Sequence, residues 1–219
     1  MTKQNHLLQG PHQGQPIRMA GEPISRARAA MLLVHGRGAS ADNILSLADE
    51  FAQPGFAYLA PQAAGNTWYP NRFLVPPVEN EPWLSSGLAF IADVLAEIVN
   101  AGIPQERIIL LGFSQGACLT LEFAARNARR YGGVVGLSGA LIGPEDTPRD
   151  DAGSLAGTPV FLGCSDVDFH VPKEYVEQTA DVLSRLGGEV TKRFYPNMGH
   201  TVNQDEVDFV RDMMQHLLA

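Results

Sequence analysis

The spacing of apolar residues changes repeatedly along this chain, and each change marks an element. Ala30 to His35 (AMLLVH) is a short apolar run that stops at Gly36, the pattern of a strand buried on both faces. Ser40 then stands where a helix N-cap belongs. Ile44, Leu45, Leu47, Ala48 and Phe51 follow along one side of a helix until Pro54-Gly55 stops it. Phe56 to Ala60 reads as the next strand. Leu84, Leu88, Ile91, Leu95, Ile98 and Val99 recur at helical spacing up to Gly102 and Pro104. Arg107 to Phe113 is another buried-type strand, and Gln115 to Asn127 is helical. Val134 to Leu137 and Val160 to Gly163 are short strands. Pro172 opens a helix that ends at Gly187-Gly188, and Val190 to Tyr195 is the last strand. Asn203, with Glu206 three positions on, caps a final helix whose stripe is Val207, Val210, Met214 and Leu217. Ile17 to Ala20 is a candidate edge strand.

Strand and helix alternating in this way predict an α/β fold, with a mostly parallel central sheet and helices on both faces. There is no internal repeat and no linker. Residues 16–219 therefore read as one domain, and residues 1–15, polar and rich in Gln and His, as a loose N-terminal segment. Pro61 to Pro82 escapes the pattern. It holds five prolines together with Trp68, Tyr69 and Phe73, and it has no period. A connection this long is usually functional or disordered, and its aromatic content argues for function. Trp68 and Phe73 are expected as apolar contacts of a substrate pocket.

Composition narrows the classes. The formal net charge of −8 repels phosphate backbones, so no nucleic-acid partner is expected. Two cysteines, Cys118 and Cys164, are too few for a disulfide scaffold. The first residues lack the apolar core of a signal peptide, and no uninterrupted apolar run approaches the ~20 residues that span a bilayer. These features point to a soluble, cytoplasmic protein without a transmembrane segment.

In open α/β sheets the reactive groups gather at the carboxyl ends of the strands. Gly112-Phe113-Ser114-Gln115-Gly116 lies between a buried strand and a helix and fits G-x-S-x-G, the nucleophile elbow. The turn is tight, so its flanking residues must be small. Ser114 is thereby placed at a helix N-terminus, where free N–H groups favour a developing oxyanion. A serine hydroxyl needs a base. In this fold the order along the chain is Ser, Asp, His, which selects His200, in the loop just after the last strand. His6 and His12 fall in the loose segment, and His216 inside the final helix. Two acids, Asp166 and Asp168, follow the strand Val160 to Gly163, and spacing leaves both open as partner of His200. The second oxyanion donor belongs to the loop after an early strand. The backbone N–H of Arg37, in His35-Gly36-Arg37-Gly38, is the candidate, together with that of Gln115; His35 reads as a brace for that loop. No His, Cys and carboxylate fall at metal-ligand spacing, so no metal is expected. A non-catalytic binding protein on the same fold is the reading from another class, and it has no need of all three groups.

Taken together, HGRG at His35, GFSQG around Ser114, the Asp-x-Asp…Val-Pro stretch before Pro172, and Gly199-His200 resemble the phospholipase/carboxylesterase family of α/β-hydrolases, which includes the acyl-protein thioesterases. The resemblance runs from about Met31 to the C-terminus. It implies a Ser-Asp-His triad, no cofactor, ester or thioester substrates with acyl chains, and often a homodimer. In the family the acid lies in a run like His-Gly-Asp-x-Asp-Pro-x-Val-Pro. Laid on this chain without gaps, that run places the acid at Asp168. The chain departs from it at Cys164-Ser165, which replaces His-Gly, and at Phe169, which replaces the proline. The activity implied is a serine carboxylesterase working through an acyl-enzyme. A thioesterase or lysophospholipase with the same triad is the nearest alternative.

Overall fold

The structure, a computed structural model, describes residues 10–219. Seven strands form one sheet in the order β1-β3-β2-β4-β5-β6-β7. They are β1 (Ile17–Gly21), β2 (Ala29–Val34), β3 (Phe56–Pro61), β4 (Ile108–Phe113), β5 (Gly133–Leu137), β6 (Pro159–Ser165) and β7 (Glu189–Tyr195). All neighbours pair in parallel except β1, which runs antiparallel to β3 at one edge. The chain therefore has the α/β-hydrolase type of fold.

Alternation along the strands feeds two cores. In β2, Ala30, Leu32 and Val34 enter one cluster, while Ala29, Met31 and Leu33 enter the other. This is why the central strands read as continuous apolar runs: successive side chains point to opposite faces, and both faces are covered. Helices α1 (Ala41–Phe51) and α5 (Gln204–Leu218) cover one face; α2 (Trp83–Asn100), α3 (Gln115–Arg126) and α4 (Lys173–Arg185) cover the other. Each fully buried Leu, Ile, Val or Phe in these layers stabilises by roughly 1.5–3 kcal/mol. Helix α1 starts in a capping box between Ser40 and Asn43, and α5 in one between Asn203 and Glu206. By length and composition α2 could cross a membrane, but Leu84, Phe90, Ile91, Val94, Leu95 and Ile98 lie in the core against the sheet.

Residues 10–15 are not loose. His12 is fully buried. Its backbone N–H donates to Ser86 Oγ (2.9 Å), its Nε2–H donates to the Trp68 carbonyl (2.9 Å), and its Nδ1 accepts the Ala64 N–H (3.1 Å). Gln13 adds two bonds to Ser86. The expectation of a loose segment over 1–15 is thus corrected for residues 10–15, because their polar groups find partners in α2 and in the 61–82 stretch. Residues 1–9, His6 among them, lie outside the described residues.

Candidate active site

The chain leaves β4 at Phe113 and enters α3 at Gln115, so Ser114 makes the whole turn. Its backbone has φ 55° and ψ −121°, a conformation that costs an L-residue about 1–3 kcal/mol. Two things hold it there. Its N–H donates to the Leu137 carbonyl at 2.9 Å, and the flanking glycines allow close backbone approach. A Cβ on Gly112 would collide with the Gly116 carbonyl. One on Gly116 would collide with the carbonyl oxygens of Val34 and His35. The spacing of the motif is thus a packing requirement, and its result is a hydroxyl raised above the strand ends.

His200 comes from the loop after β7, and its Nε2 lies 2.8 Å from Ser114 Oγ. Its Nδ1 lies 2.6 Å from Asp168 Oδ2. The other carboxylate oxygen accepts the backbone N–H groups of His170 (2.8 Å) and Val171 (3.2 Å). Burial pushes the Asp168 carboxyl up, but the bonds from His200, His170 and Val171 outweigh it and hold the group below its ordinary value. An ionised carboxylate only accepts, so His200 carries its proton on Nδ1 and turns the Nε2 lone pair toward the Ser114 hydroxyl. Asp166 does something else. Its side chain accepts the Asn197 N–H (2.8 Å) and its own N–H donates to the Tyr195 carbonyl (3.2 Å), tying the loop of His200 to the loop after β6. Of the two acids left open by spacing, Asp168 is the one within reach of the imidazole.

The HGRG loop closes one side. Gly36 lies against the elbow, and a Cβ on it would sit 3.3 Å from Ser114 Cβ. His35 is buried, with Nδ1–H donating to the Gly36 carbonyl (2.8 Å) and Nε2 accepting the Ala63 N–H (3.1 Å). Burial lowers its pKa, which keeps the ring neutral in this bracing role. The backbone N–H groups of Arg37 and Gln115 have no protein acceptor among the described residues. That of Gln115, first in its helix, has none by position. The Gln115 side chain is engaged instead: Oε1 accepts the Trp68 N–H and the amide donates to the Tyr69 carbonyl. The glutamine of the motif thereby fastens the 61–82 stretch to the elbow. Buried Asn80 fastens it again, accepting from the Asn71 N–H and donating to the Arg72 carbonyl.

Ser114 and His200 open onto a cavity of about 490 Å³. Phe73 lines it, standing edge-on to Tyr175 at 5.6 Å between centroids. Trp68 does not line it, which corrects its expected place in the pocket. Its indole N–H donates to the His35 carbonyl (2.8 Å), and its ring is fully buried between His12 and His35. A buried indole needs one acceptor, and that carbonyl directs the ring inward. The residue next to it, Tyr69, faces the cavity. Sequence reasoning also missed Asn71, Arg72, His170 and Val171 in the wall. The His170 ring lies 4.7 Å from that of His200, which meets Phe113 on another side at 5.1 Å. Cys118 reaches the cavity, but burial pushes its thiol up to about 12, so it is no nucleophile at neutral pH. Cys164 is buried behind Asp168, its Sγ 3.9 Å from Oδ2.

Comparison with known proteins identifies the family. Over 144 residues the chain is 30% identical to "Acyl-protein thioesterase 1" of Neurospora crassa, an alignment covering 64% of this chain and 58% of that protein. It is 28% identical to the protein of the same name from Candida albicans, over 87% of this chain and 94% of the other. Among solved structures, a phospholipase/carboxylesterase from Dyadobacter fermentans superposes with a TM-score of 0.88 at 41% identity, covering 92% of this chain and 96% of that one. Residues 17–218 match the family described as Phospholipase/Carboxylesterase. With the elbow, the strand-end histidine and the seven-stranded sheet in place, the chain belongs to the phospholipase/carboxylesterase family of α/β-hydrolases.

Proposed function

We propose that this chain hydrolyses carboxylic esters through Ser114, His200 and Asp168. The observation that carries the reading is the unbroken chain of hydrogen bonds from Ser114 Oγ through the imidazole to Asp168. In the first step His200 Nε2 takes the hydroxyl proton as Ser114 Oγ attacks the acyl carbonyl. The N–H groups of Gln115 and Arg37 receive the oxyanion, with the N-terminus of α3 behind them. Collapse of the tetrahedral intermediate expels the alcohol, which leaves with the proton from His200. Water then enters and gives its proton to the same nitrogen. It attacks the acyl-enzyme, and the second collapse releases the acid and returns the proton to Ser114. Asp168 holds the imidazole in the required tautomer and stabilises the imidazolium in both halves.

A thioester substrate is the second reading, favoured by the relatives named acyl-protein thioesterases. The same machinery serves both, since only the leaving atom differs. The test is turnover of matched oxygen and sulfur esters of several acyl lengths by wild type and by Ser114→Ala. Ser114-dependent hydrolysis of the oxygen esters supports the first reading, and hydrolysis confined to the sulfur esters supports the second. Equal turnover by Ser114→Ala on either series ends both. Cytoplasmic location, from the composition and the resemblance, and a homodimer, from the resemblance alone, belong to this proposal.

A further inference from the structure

The cavity in front of Ser114 carries the opposite charge to the protein around it. The chain has 24 acidic and 16 basic residues, a formal net charge of −8. Yet two arginines, Arg37 and Arg72, line this cavity, and no Asp or Glu does among the described residues. Asp168 is near, but it lies behind His200 with both oxygens engaged. Neither arginine makes an ion pair among the described residues. Arg37 donates to neutral acceptors, the carbonyls of Pro70 and Asn71 and, at 3.4 Å, the Thr67 hydroxyl. Arg72 makes one long bond, to the His170 carbonyl at 3.3 Å. It stays largely exposed, with most of its donors unused. Asn71 stands between them in the wall.

A cleft lined by one sign of charge focuses its field and raises the local concentration of the opposite ion. An arginine that meets no carboxylate in its own protein still presents a fork shaped for carboxylate or phosphate. We infer that the substrate of this site bears an anionic group, a carboxylate or a phosphate, that Arg72 binds directly with Arg37 adding to the field. The inference rests on the ester-hydrolase reading and deepens it, narrowing the carboxylic ester to an acidic one. Arg72 is then a specificity-determining residue. Arg37 is first a positioning residue, since its bonds shape the wall, and its charge acts from there.

The test compares kcat/KM for matched esters that differ only in charge, corrected for spontaneous hydrolysis. On the acyl side the pair is mono-4-nitrophenyl adipate against 4-nitrophenyl hexanoate. On the alcohol side it is 4-acetoxyphenylacetate against its amide. Two partly screened charge interactions, each of the strength of a surface ion pair, favour the anionic member by about five- to tenfold at low salt. That ratio is expected in one of the two arms, which identifies the side of the ester that carries the charge. It should shrink toward one at about 0.5 M salt, where the screening length falls to a few ångströms. It should also shrink in Arg72→Gln and persist in Arg72→Lys. A ratio of one or less in both arms overturns the inference, and so does a ratio unchanged by Arg72→Gln. If the neutral esters are still turned over in a Ser114-dependent way, that result leaves the hydrolase reading intact. If wild type hydrolyses no ester at all, both fall.

Discussion

Asp168→Asn is the substitution whose outcome can be worked out most fully from the geometry. The carboxylate stands between donors on two sides: the imidazole N–H on Oδ2, and the backbone N–H groups of His170 and Val171 on Oδ1. An asparagine has only one accepting atom. If its oxygen faces His200, its amide is driven against two backbone donors, losing two bonds and opposing like dipoles. If its oxygen faces the backbone, both of those bonds survive, and the amide donates to His200 Nδ1. The second arrangement wins by at least one hydrogen bond, about 1 kcal/mol. It leaves the imidazole proton on Nε2, facing the Ser114 hydroxyl, where a lone pair is needed. In a serine protease triad the corresponding change lowers kcat by about 10⁴. A similar loss is expected here with the fold retained. The assay is kcat on a 4-nitrophenyl ester near neutral pH, with a thermal melt of the same preparation. Asp166→Asn is the matched control. Its amide oxygen can still accept the Asn197 N–H, so a loss below about tenfold is expected. An Asp168→Asn enzyme within a hundredfold of wild type would refute the tautomer argument. The reverse ranking of the two variants would move the acid to Asp166.

The other predictions concern the wall and the core. Trp68→Ala is expected to cost about 3–5 kcal/mol in urea denaturation, as for other buried aromatics, and to leave acyl-length preference alone; a preference change without a stability loss would return Trp68 to the pocket. Phe73→Ala is expected to change that preference, by roughly 1–3 kcal/mol per methylene where contact is lost, and an equal fall in kcat/KM for all chain lengths would make Phe73 merely structural. Glu206 gives a pH effect. One of its oxygens accepts the Asn203 N–H, the other is buried without a partner, and burial pushes the carboxyl up from 4.5 to about 7. Its folded value is above its unfolded one. The corresponding stability is therefore full below about pH 4.5 and lost as pH rises through about 7, up to about 3 kcal/mol in all. Glu206→Gln should abolish that slope in denaturation curves taken between pH 5 and 8, and an unchanged slope would contradict it.

What the sequence disclosed follows from the range of the interactions. The elbow was legible because its constraints are local: Gly112 and Gly116 are small for the sake of backbone atoms a few residues away or one strand over. His200 was legible from its place after the last strand. Asp168 and Asp166 were not separable by spacing, since both follow β6 by a few residues and only the loop path decides which reaches the ring. The 61–82 stretch announced itself by its aromatics, but nothing local says that Trp68 turns inward while Tyr69 and Phe73 face the cavity. That choice is made by the carbonyl of His35, 33 positions away. His12 was hidden for the same reason, its partners lying 52 to 74 residues along the chain. Arg72 and His170 carry no motif at all, and they reach the site because two separate loops meet over Ser114.

The central claim is that Ser114 is a nucleophile activated by its neighbours, and covalent capture tests it most directly. The protein is incubated with a fluorophosphonate near neutral pH, and intact mass and peptide mapping are read against Ser114→Ala. One phosphonyl group on Ser114, slowed strongly in Asp168→Asn and absent from Ser114→Ala, is the predicted result. An unlabelled wild-type protein, or a label on another residue that persists in Ser114→Ala, would contradict the account.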